Sequence, residues 1–300
     1  MDHFSADWLA LREPADFVAR SSQLAGVIAN ALAPDEVTRA LDLAGGTGSN
    51  VRYLAEHLPP HQDWLLVDYD EALITQASVR MNEWAVAQGY EARVEGDGVM
   101  LQGDRLKCRV HVRREDVADL TKAAIFDGRA LVTASALLDL VSEPWLRDLA
   151  GRCREHASAA LFALNYDGRI HCSPEEAGDE LVRHLVNRHQ RRDKGFGTAL
   201  GPDAAATAER LFAGAGYQVR RQPSDWVLSP DARGLQQALI EGWAQAAAEL
   251  APGESVSIES WRARRLAHLA DGRSRLRVGH QDVAAWRPGS FKVSRLKSQV

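Results

Sequence analysis

Asp42-Leu43-Ala44-Gly45-Gly46-Thr47-Gly48-Ser49-Asn50 joins an acid, small residues and glycines directly behind the apolar run that starts at Ala40. A strand that ends in this way and feeds a helix brings backbone N–H groups against a ligand, because no Cβ intervenes. Asp68 stands 20 positions after Gly48, directly after Trp64-Leu65-Leu66-Val67. An acid at the end of the second strand can accept hydrogen bonds from both hydroxyls of a ribose. The chemistry these residues suit is nucleoside recognition. A dinucleotide would want the third glycine of G-x-G-x-x-G, yet Gly46-Thr47-Gly48 is followed by Ser49, Asn50 and Val51. No phosphate-binding lysine follows the turn, which excludes a P-loop.

The elements that must position these residues can be read from the hydrophobic pattern. Ala40 to Leu43 reads as a short buried strand, and Val51 to Leu58 as a helix stopped by Pro59-Pro60. Trp64 to Val67 is a second strand, and Ala72 to Trp84 the next helix. Leu106, Cys108, Val110 and Val112 alternate with polar residues, predicting a third strand entered through a hairpin near Gly103-Asp104. Ala130 to Thr133 and Ala160 to Leu164 are the fourth and fifth strands, with a helix over Trp145 to His156 between them. Strand and helix alternating in this way predict a mostly parallel sheet with helices on both faces. Further on, helices are expected over Glu175 to Gln190 and Asp203 to Ala213, a strand over Tyr217 to Leu228, a helix through Leu235, Leu239, Trp243 and Leu250, and a strand over Leu276 to Trp286.

Methionine attached to adenosine needs no phosphate cradle, only an approachable backbone and an acid for the ribose. The runs LDLAGGTGSN, LLVDYDEALITQA, REDVADL and FDGRALVTASALLDLV resemble the successive motifs of class I S-adenosylmethionine-dependent methyltransferases. The resemblance covers roughly Val37 to Tyr166, and GYQV at Gly216 fits the later strands; Ala44 stands where the family often has glycine. It implies S-adenosylmethionine as cofactor and S-adenosylhomocysteine as product. It also implies that Asp42, Ala44, Gly45, Gly46 and Gly48, with Asn50, cradle the methionine and ribose side. Asp68 would hold the ribose hydroxyls, Tyr69 would pack on the adenine, Asp116 would accept from its amino group beside Val117, and Ser135 would lie near the methionine. Two short helices before the first strand would form a lid, in which Arg20, rather than Arg12, holds the methionine carboxylate; the alternative for Arg12, Asp16 and Arg20 is a surface ion-pair ladder of little energetic consequence.

Methyl transfer from a sulfonium is an in-line displacement that alignment and desolvation can drive, with a base needed only for a weak or protonated nucleophile. Candidate catalytic residues are Asp139, an acid inside an apolar run whose burial would raise its pKa, then Tyr166 and His189. The alternative for Asp139 is a turn or helix-start aspartate, and for His189 a surface histidine. A magnesium trio of Asp139, Asn165 and Asp167 has unconvincing spacing, so no metal is expected. His184, Arg188, Arg191 and Arg192, with Lys194, read either as a solvated basic face or as the mark of an anionic acceptor.

The bulk composition bounds the partners. The 300 residues carry a net charge of −5, so no global positive field draws the chain to nucleic acid or anionic lipid. Three cysteines, Cys108, Cys153 and Cys172, far apart and odd in number, suit reduced thiols. There is no signal-peptide pattern and no apolar run of about 18 residues, so a cytoplasmic protein is the default expectation. The chain is expected to be one α/β methyltransferase domain: a Rossmann-like seven-stranded, mostly parallel sheet with an antiparallel last strand. Its parts are a helical lid (1–35), the cofactor-binding core (36–165), a helical cover (166–215), a part that completes the sheet (216–288) and a polar tail (289–300). The expected activity is methyl transfer to O, N or C of a small molecule, in a monomer or a homodimer. The rivals are an RNA methyltransferase, a nicotinamide dehydrogenase and a non-catalytic module that binds the cofactor.

Overall fold

The apolar run before the glycines forms the end of β1 (Thr38–Leu43), which pairs in parallel with β2 (His61–Asp68) on one side and β6 (Leu131–Ser135) on the other. The computed structural model describes residues 5–33, 36–96, 98–121 and 123–289. The basic tail expected from residue 289 therefore lies outside the described residues from 290 onward. The other strands are β3 (Glu91–Glu95), β4 (Gly98–Gly103), β5 (Leu106–Arg114), β7 (Ala159–Ser173), β8 (Gln218–Pro223), β9 (Trp226–Leu228) and β10 (Arg275–Trp286). The sheet runs β3-β4-β5-β2-β1-β6-β7-β10-β8, with β9 paired to β10.

Strands β5, β2, β1, β6 and β7 are parallel, and β10 is antiparallel to both β7 and β8. This is the Rossmann-like, mostly parallel sheet with an antiparallel last strand that the alternation predicts. It is larger than expected, with ten strands among the described residues instead of seven. Beyond the seven stand β4, which is the first arm of the hairpin expected near Gly103-Asp104, the edge strand β3 and the short β9. Four of the five residues of β3 are exposed, so no apolar alternation marks it in the sequence.

Helices cover both faces: α1 (Ala6–Ala19), α2 (Ser22–Ala31), α3 (Ser49–Ala55), α4 (Glu71–Ala87), α5 (Glu143–Glu155), α6 (Asp179–Gln190), α7 (Ala204–Gly214), α8 (Arg233–Leu250) and α9 (Ser255–Ala270). Residues from α5 and α7, among them Leu146, Leu149 and Phe212, pack with Leu41, Val132 and Phe162 on one face of the sheet. Leu24, Ile28, Leu54 and Met81 pack with Trp64 and Leu66 on the other. A third cluster joins Val182, Leu239, Trp243 and Trp261 of α6, α8 and α9 to Ile170 and Leu276. That cluster exists because β7 is 15 residues long and pairs with β10 out to Ser173–Arg275.

Two expectations change here. The cover segment begins as strand, not helix, since residues 166–173 continue β7. The expected strand over Tyr217 to Leu228 is split at Ser224 and Asp225 into β8 and β9. Helix α9 had no expectation attached to it. Its inward positions are Ile258, Trp261, Arg265 and Leu269, and a fully buried arginine interrupts the apolar stripe. The Arg265 guanidinium is held by both carboxylate oxygens of Asp179 on α6 and by the Pro174 carbonyl.

Candidate functional site

The turn after β1 is shaped by contacts that admit no side chain. A Cβ on Gly45 would stand 2.5 Å from Leu66 Cγ and 2.9 Å from Asp42 Oδ2. Gly46 and Gly48 have φ of +53° and +79°, the left-handed region that glycine enters without strain. Ala44 and Ala136, at the ends of the adjacent strands β1 and β6, are also left-handed, at φ of 49° and 52°. Non-glycine residues held there cost about 1–3 kcal/mol each and cluster where a backbone must meet a ligand. Asp68 Oδ2 accepts a hydrogen bond from the Gly46 N–H at 2.9 Å, and its Oδ1 accepts from Asp70 N–H at 3.0 Å. The acid that ends β2 thus fixes the glycine turn, while the further lone pairs of its oxygens can serve a ligand.

Two joined pockets open over these strand ends. The first is lined by Gly46, Asp68, Tyr69, Asp116, Val117 and Ser135, together with the apolar side chains Leu73, Leu137, Leu140 and Phe196. The second is lined by Arg20, Asp42, Gly45, Gly46, Asn50 and Ser135, and α1 closes it with Leu9, Arg12 and Asp16. All twelve residues expected to bind cofactor border one pocket or the other, except Gly48. That glycine opens α3 behind the turn, its N–H bonded to the Gly45 carbonyl.

The second pocket has unusual electrostatics. Asp42 is fully buried, and Asn50 Nδ2 donates to its Oδ1 at 2.7 Å, but Oδ2 has no hydrogen-bond partner among the described residues. Burial pushes its carboxyl up to about 7, against the stabilising Asn50 bond and the charge of Arg20. Among the described residues Arg20 donates only to neutral atoms, Asn50 Oδ1 at 3.1 Å and Ser135 Oγ at 3.0 Å, and its Nε has no partner. Burial lowers its pKa too, opposed by the charges of Asp16, Asp282 and Asp42. A buried acceptor and a buried donor left unmade each cost about 1–3 kcal/mol, which a ligand that pairs with them recovers.

The wall that carries Arg20 is anchored at three points. Arg52 of α3 bonds both Glu13 oxygens, at 2.6 and 2.7 Å, and the Thr47 carbonyl at 2.6 Å. Asp16 accepts from Arg12 at 2.9 Å and from the Trp226 indole at 3.0 Å. Asp282 of β10 accepts from the backbone N–H of Ser21 at 2.8 Å and of Leu164 at 2.7 Å.

A third cavity, an open groove of about 600 Å³, meets the first pocket at Ala136, Leu140 and Lys194; Ala136 lines all three spaces. Asp139 and His189 lie in this groove. Asp139 is 7% exposed, its Oδ1 has no hydrogen-bond partner among the described residues, and burial pushes its carboxyl up to about 6. His189 Nε2 lies 3.1 Å from Glu249 Oε2 on α8. Tyr166, expected as a catalytic residue, lines none of the three spaces. The continuing strand turns its ring toward His280, with centroids 6.2 Å apart, and its hydroxyl donates to Asn187 at 2.7 Å. Asn165 donates through Nδ2 to the carbonyls of Phe162 and Gln281, while its Oδ1 has no hydrogen-bond partner among the described residues, and Asp167 accepts from Arg169.

Sequence reasoning did not assign Leu9, Leu73, Phe196, Trp8, Trp243 or Glu249 to any site, although all line these spaces. Phe196 carried a usable signal, a lone aromatic inside the glycine-rich Lys194-Gly195-Phe196-Gly197 loop. The basic face is broken up by pairing: Arg191 bonds Asp203 at 2.6 Å, and Arg192 reaches Glu249 at 3.5 Å. No described helix is long and apolar enough to cross a membrane.

No family model matches the chain, and no curated protein matches it by sequence. Solved structures do resemble it. An S-adenosylmethionine-dependent methyltransferase of Geobacter sulfurreducens, in complex with S-adenosyl-L-homocysteine, matches at a TM-score of 0.43 and 15% identity over 96% of this chain and 100% of its own. The YcgJ protein of Bacillus subtilis matches at 0.46 and 14% over 90% and 100%, respectively. Phosphoethanolamine N-methyltransferase 2 of Haemonchus contortus matches at 0.43 and 14%, over 96% of this chain and 59% of its own. At these scores and identities the likenesses assign no ligand and no residue role to this chain.

Proposed function

We propose that the chain binds S-adenosylmethionine in the two joined pockets and transfers its methyl group to a small-molecule acceptor. The observation that carries this reading is the pair of buried ionisable side chains in the second pocket that each keep one atom without a hydrogen-bond partner among the described residues, Asp42 Oδ2 and Arg20 Nε. An α-amino acid end brings an ammonium for the first and a carboxylate for the second. Asp68 and the glycine turn lie next along the strand ends and suit a ribose. Beyond them, the slot between Leu73, Val117, Leu140 and Phe196, with Asp116 at its edge, suits a flat base with an amino group. Amino acid, ribose and base in this order, with no phosphate cradle, describe one cofactor.

When bound, that cofactor supplies an electrophilic methyl carbon. The chain's own contribution is placement and proton handling. Arg20 and Asp42 fix the amino acid end, Asp68 fixes the sugar, and the apolar slot keeps water from the base. Asp139, in the adjoining groove, accepts the proton that an acceptor O–H or N–H must lose.

Thermal-shift titration with S-adenosylhomocysteine, run beside NADH and ATP, tests the reading. Saturation to about 100 Kd adds about 2.7 kcal/mol and raises Tm by several degrees. A shift with S-adenosylhomocysteine and not with the other two is expected; a shift only with NADH would overturn the proposal.

A further inference from the structure

Arg20 and Asp42 border the same pocket with opposite charges, yet no hydrogen bond or ion pair joins these two described residues. The side chain of Asn50, on α3, is bonded to both. Its Oδ1 accepts from Arg20 at 3.1 Å, and its Nδ2 donates to Asp42 Oδ1 at 2.7 Å and to Thr133 Oγ1 at 3.0 Å. The direction of this amide is not free. The Thr133 hydroxyl commits its own proton to the Leu161 carbonyl, at 2.6 Å, so toward Asn50 it can only accept. The amide nitrogen must therefore face Thr133 and Asp42, which leaves the oxygen for Arg20. Thr133 is fully buried on β6 and Asn50 nearly so, which fixes the arrangement in the core. Both Nδ2 hydrogens of Asn50 are used inside the chain, so it has no donor left for a ligand.

We propose that Asn50 is a positioning residue, a spacer one amide wide that keeps Arg20 from pairing with Asp42 and so leaves both charges for the two ends of an α-amino acid group. The inference rests on the cofactor reading above. An ion pair closed between Arg20 and Asp42 would compete with the ligand, because an ammonium and a carboxylate would have to break it before making their own bonds. The amide gives each charged side chain a neutral partner, which holds its position by a weaker bond than an opposite charge would form. Asn50 thus acts through its two neighbours. The groups that face Asp42 are Arg20 at the end of α1, Asn50 on α3 and Asp68 at the end of β2, while Arg12, Asp16 and Asp282 act in turn on Arg20.

The sign of a titration in the ligand-free full chain separates spacing from simple hydrogen bonding. The Asp42 carboxyl is followed by carbon-13 NMR with labelled aspartate, its signal being the one lost in Asp42→Asn. Asn50→Ala removes the bond and the spacer together, whereas Asn50→Leu removes the bond and keeps the space filled. In Asn50→Ala, Arg20 is expected to close onto Asp42 and shift its titration to lower pH. In Asn50→Leu the lost bond is expected to shift it to higher pH, because that bond holds the carboxyl down. Shifts of the same sign in both variants, or no shift, overturn the spacer. Asn50→Ser, also short, repeats the test with the sign expected for alanine should Asn50→Ala fail to fold. Calorimetry adds a second readout. S-adenosylhomocysteine is expected to bind Asn50→Ala about tenfold more weakly, while adenosine, which lacks the amino acid end, stays within about twofold. An equal loss for both ligands assigns Asn50 to the fold of the pocket and overturns the proposal. Failure of S-adenosylhomocysteine to bind the unaltered chain counts against the cofactor reading instead, and the NMR titration still judges whether Asn50 separates Arg20 from Asp42.

Discussion

The two halves of the candidate site are built in opposite ways. The cofactor half lies on consecutive strand ends, where Asp42 to Asn50 and Asp68 are held by backbone geometry and by one another. The groove beside it is assembled from α1, α6 and α8, elements separated by more than 200 positions between Trp8 and Trp243. In the first half, unmet buried groups are ionisable and oppositely charged. In the second, one buried carboxyl stands among apolar side chains together with Gln190 and Lys194. A site with fixed charges recognises one ligand closely, and a site of apolar helix faces can be recut by changing a few side chains. The difference predicts that substitutions in the two halves separate cleanly, one set acting on cofactor binding and the other on turnover.

The largest expected effect is at Asp68. Its carboxylate offers two hydrogen bonds to the sugar, and bonds to charged groups are worth about 1.5–3 kcal/mol each. Asp68→Ala is expected to weaken S-adenosylhomocysteine about 1000-fold by calorimetry and also to lower Tm of the ligand-free chain, because the Gly46 and Asp70 N–H groups lose their acceptor. Near-native affinity in this variant would break the comparison at its firm end. In the other half, Asp139→Asn is expected to lower kcat about 100-fold, within the usual range for loss of a general base, while cofactor affinity stays within about threefold. An unchanged rate would remove Asp139 from the chemistry.

The two halves also differ in how far the sequence discloses them. The glycine turn is local: a Cβ on Gly45 would meet Leu66 and Asp42, and Gly46 and Gly48 are left-handed, so residue types within nine positions report the shape of the turn directly. Arg20 was legible only as one of several charged residues on an amphipathic segment, and its isolation from any bonded carboxylate is a tertiary fact. Tyr166 shows the reverse error. Its position just past a strand end suggested the site, but β7 does not end there, because β10 pairs with it as far as Ser173. Periodicity marks where an apolar strand core lies and says little about how far pairing extends into polar residues such as Asp167 and Arg169. Helix α9 was hidden for a similar reason, since Arg265 occupies a core position that pattern reading reserves for an apolar residue.

Within the cofactor half, Arg20 separates the amino acid end from the nucleoside. Arg20→Met keeps much of the side-chain volume and removes the donor. S-adenosylhomocysteine affinity is expected to fall about 30-fold, in line with about 2 kcal/mol for a hydrogen bond to a charged partner. Adenosine, which lacks the amino acid, should bind within about twofold of the unaltered chain. A parallel loss for both ligands would mean that Arg20 supports the fold of the pocket and does not hold the carboxylate.

The smallest effect is carried by pH, and it tests the opposite charge of the same pair. Asp42 titrates near 7 in the ligand-free chain because burial outweighs the Asn50 bond and the Arg20 charge. An ammonium binds the carboxylate and not the acid, so the proton must leave first. Well below pH 7 each further unit therefore weakens S-adenosylhomocysteine about tenfold, the 1.36 kcal/mol of one pKa unit. Adenosine does not meet Asp42 and is expected to show a flatter profile, and Asp42→Asn should flatten the profile of S-adenosylhomocysteine as well. Stability of the ligand-free chain moves the other way. Between the ordinary carboxyl range near 3.8 and about 7, the folded state binds more protons at Asp42 than the unfolded state does, so stability falls as pH rises through that window. His280, pushed down to about 4 chiefly by burial, opposes this below its ordinary value of 6.5, where the unfolded state binds the extra proton. Comparing Asp42→Asn with the unaltered chain cancels the His280 contribution. A chain whose Tm falls equally with rising pH in both proteins would show that Asp42 is ionised before any ligand arrives, and the pocket would then be a preformed cation site with no proton to release.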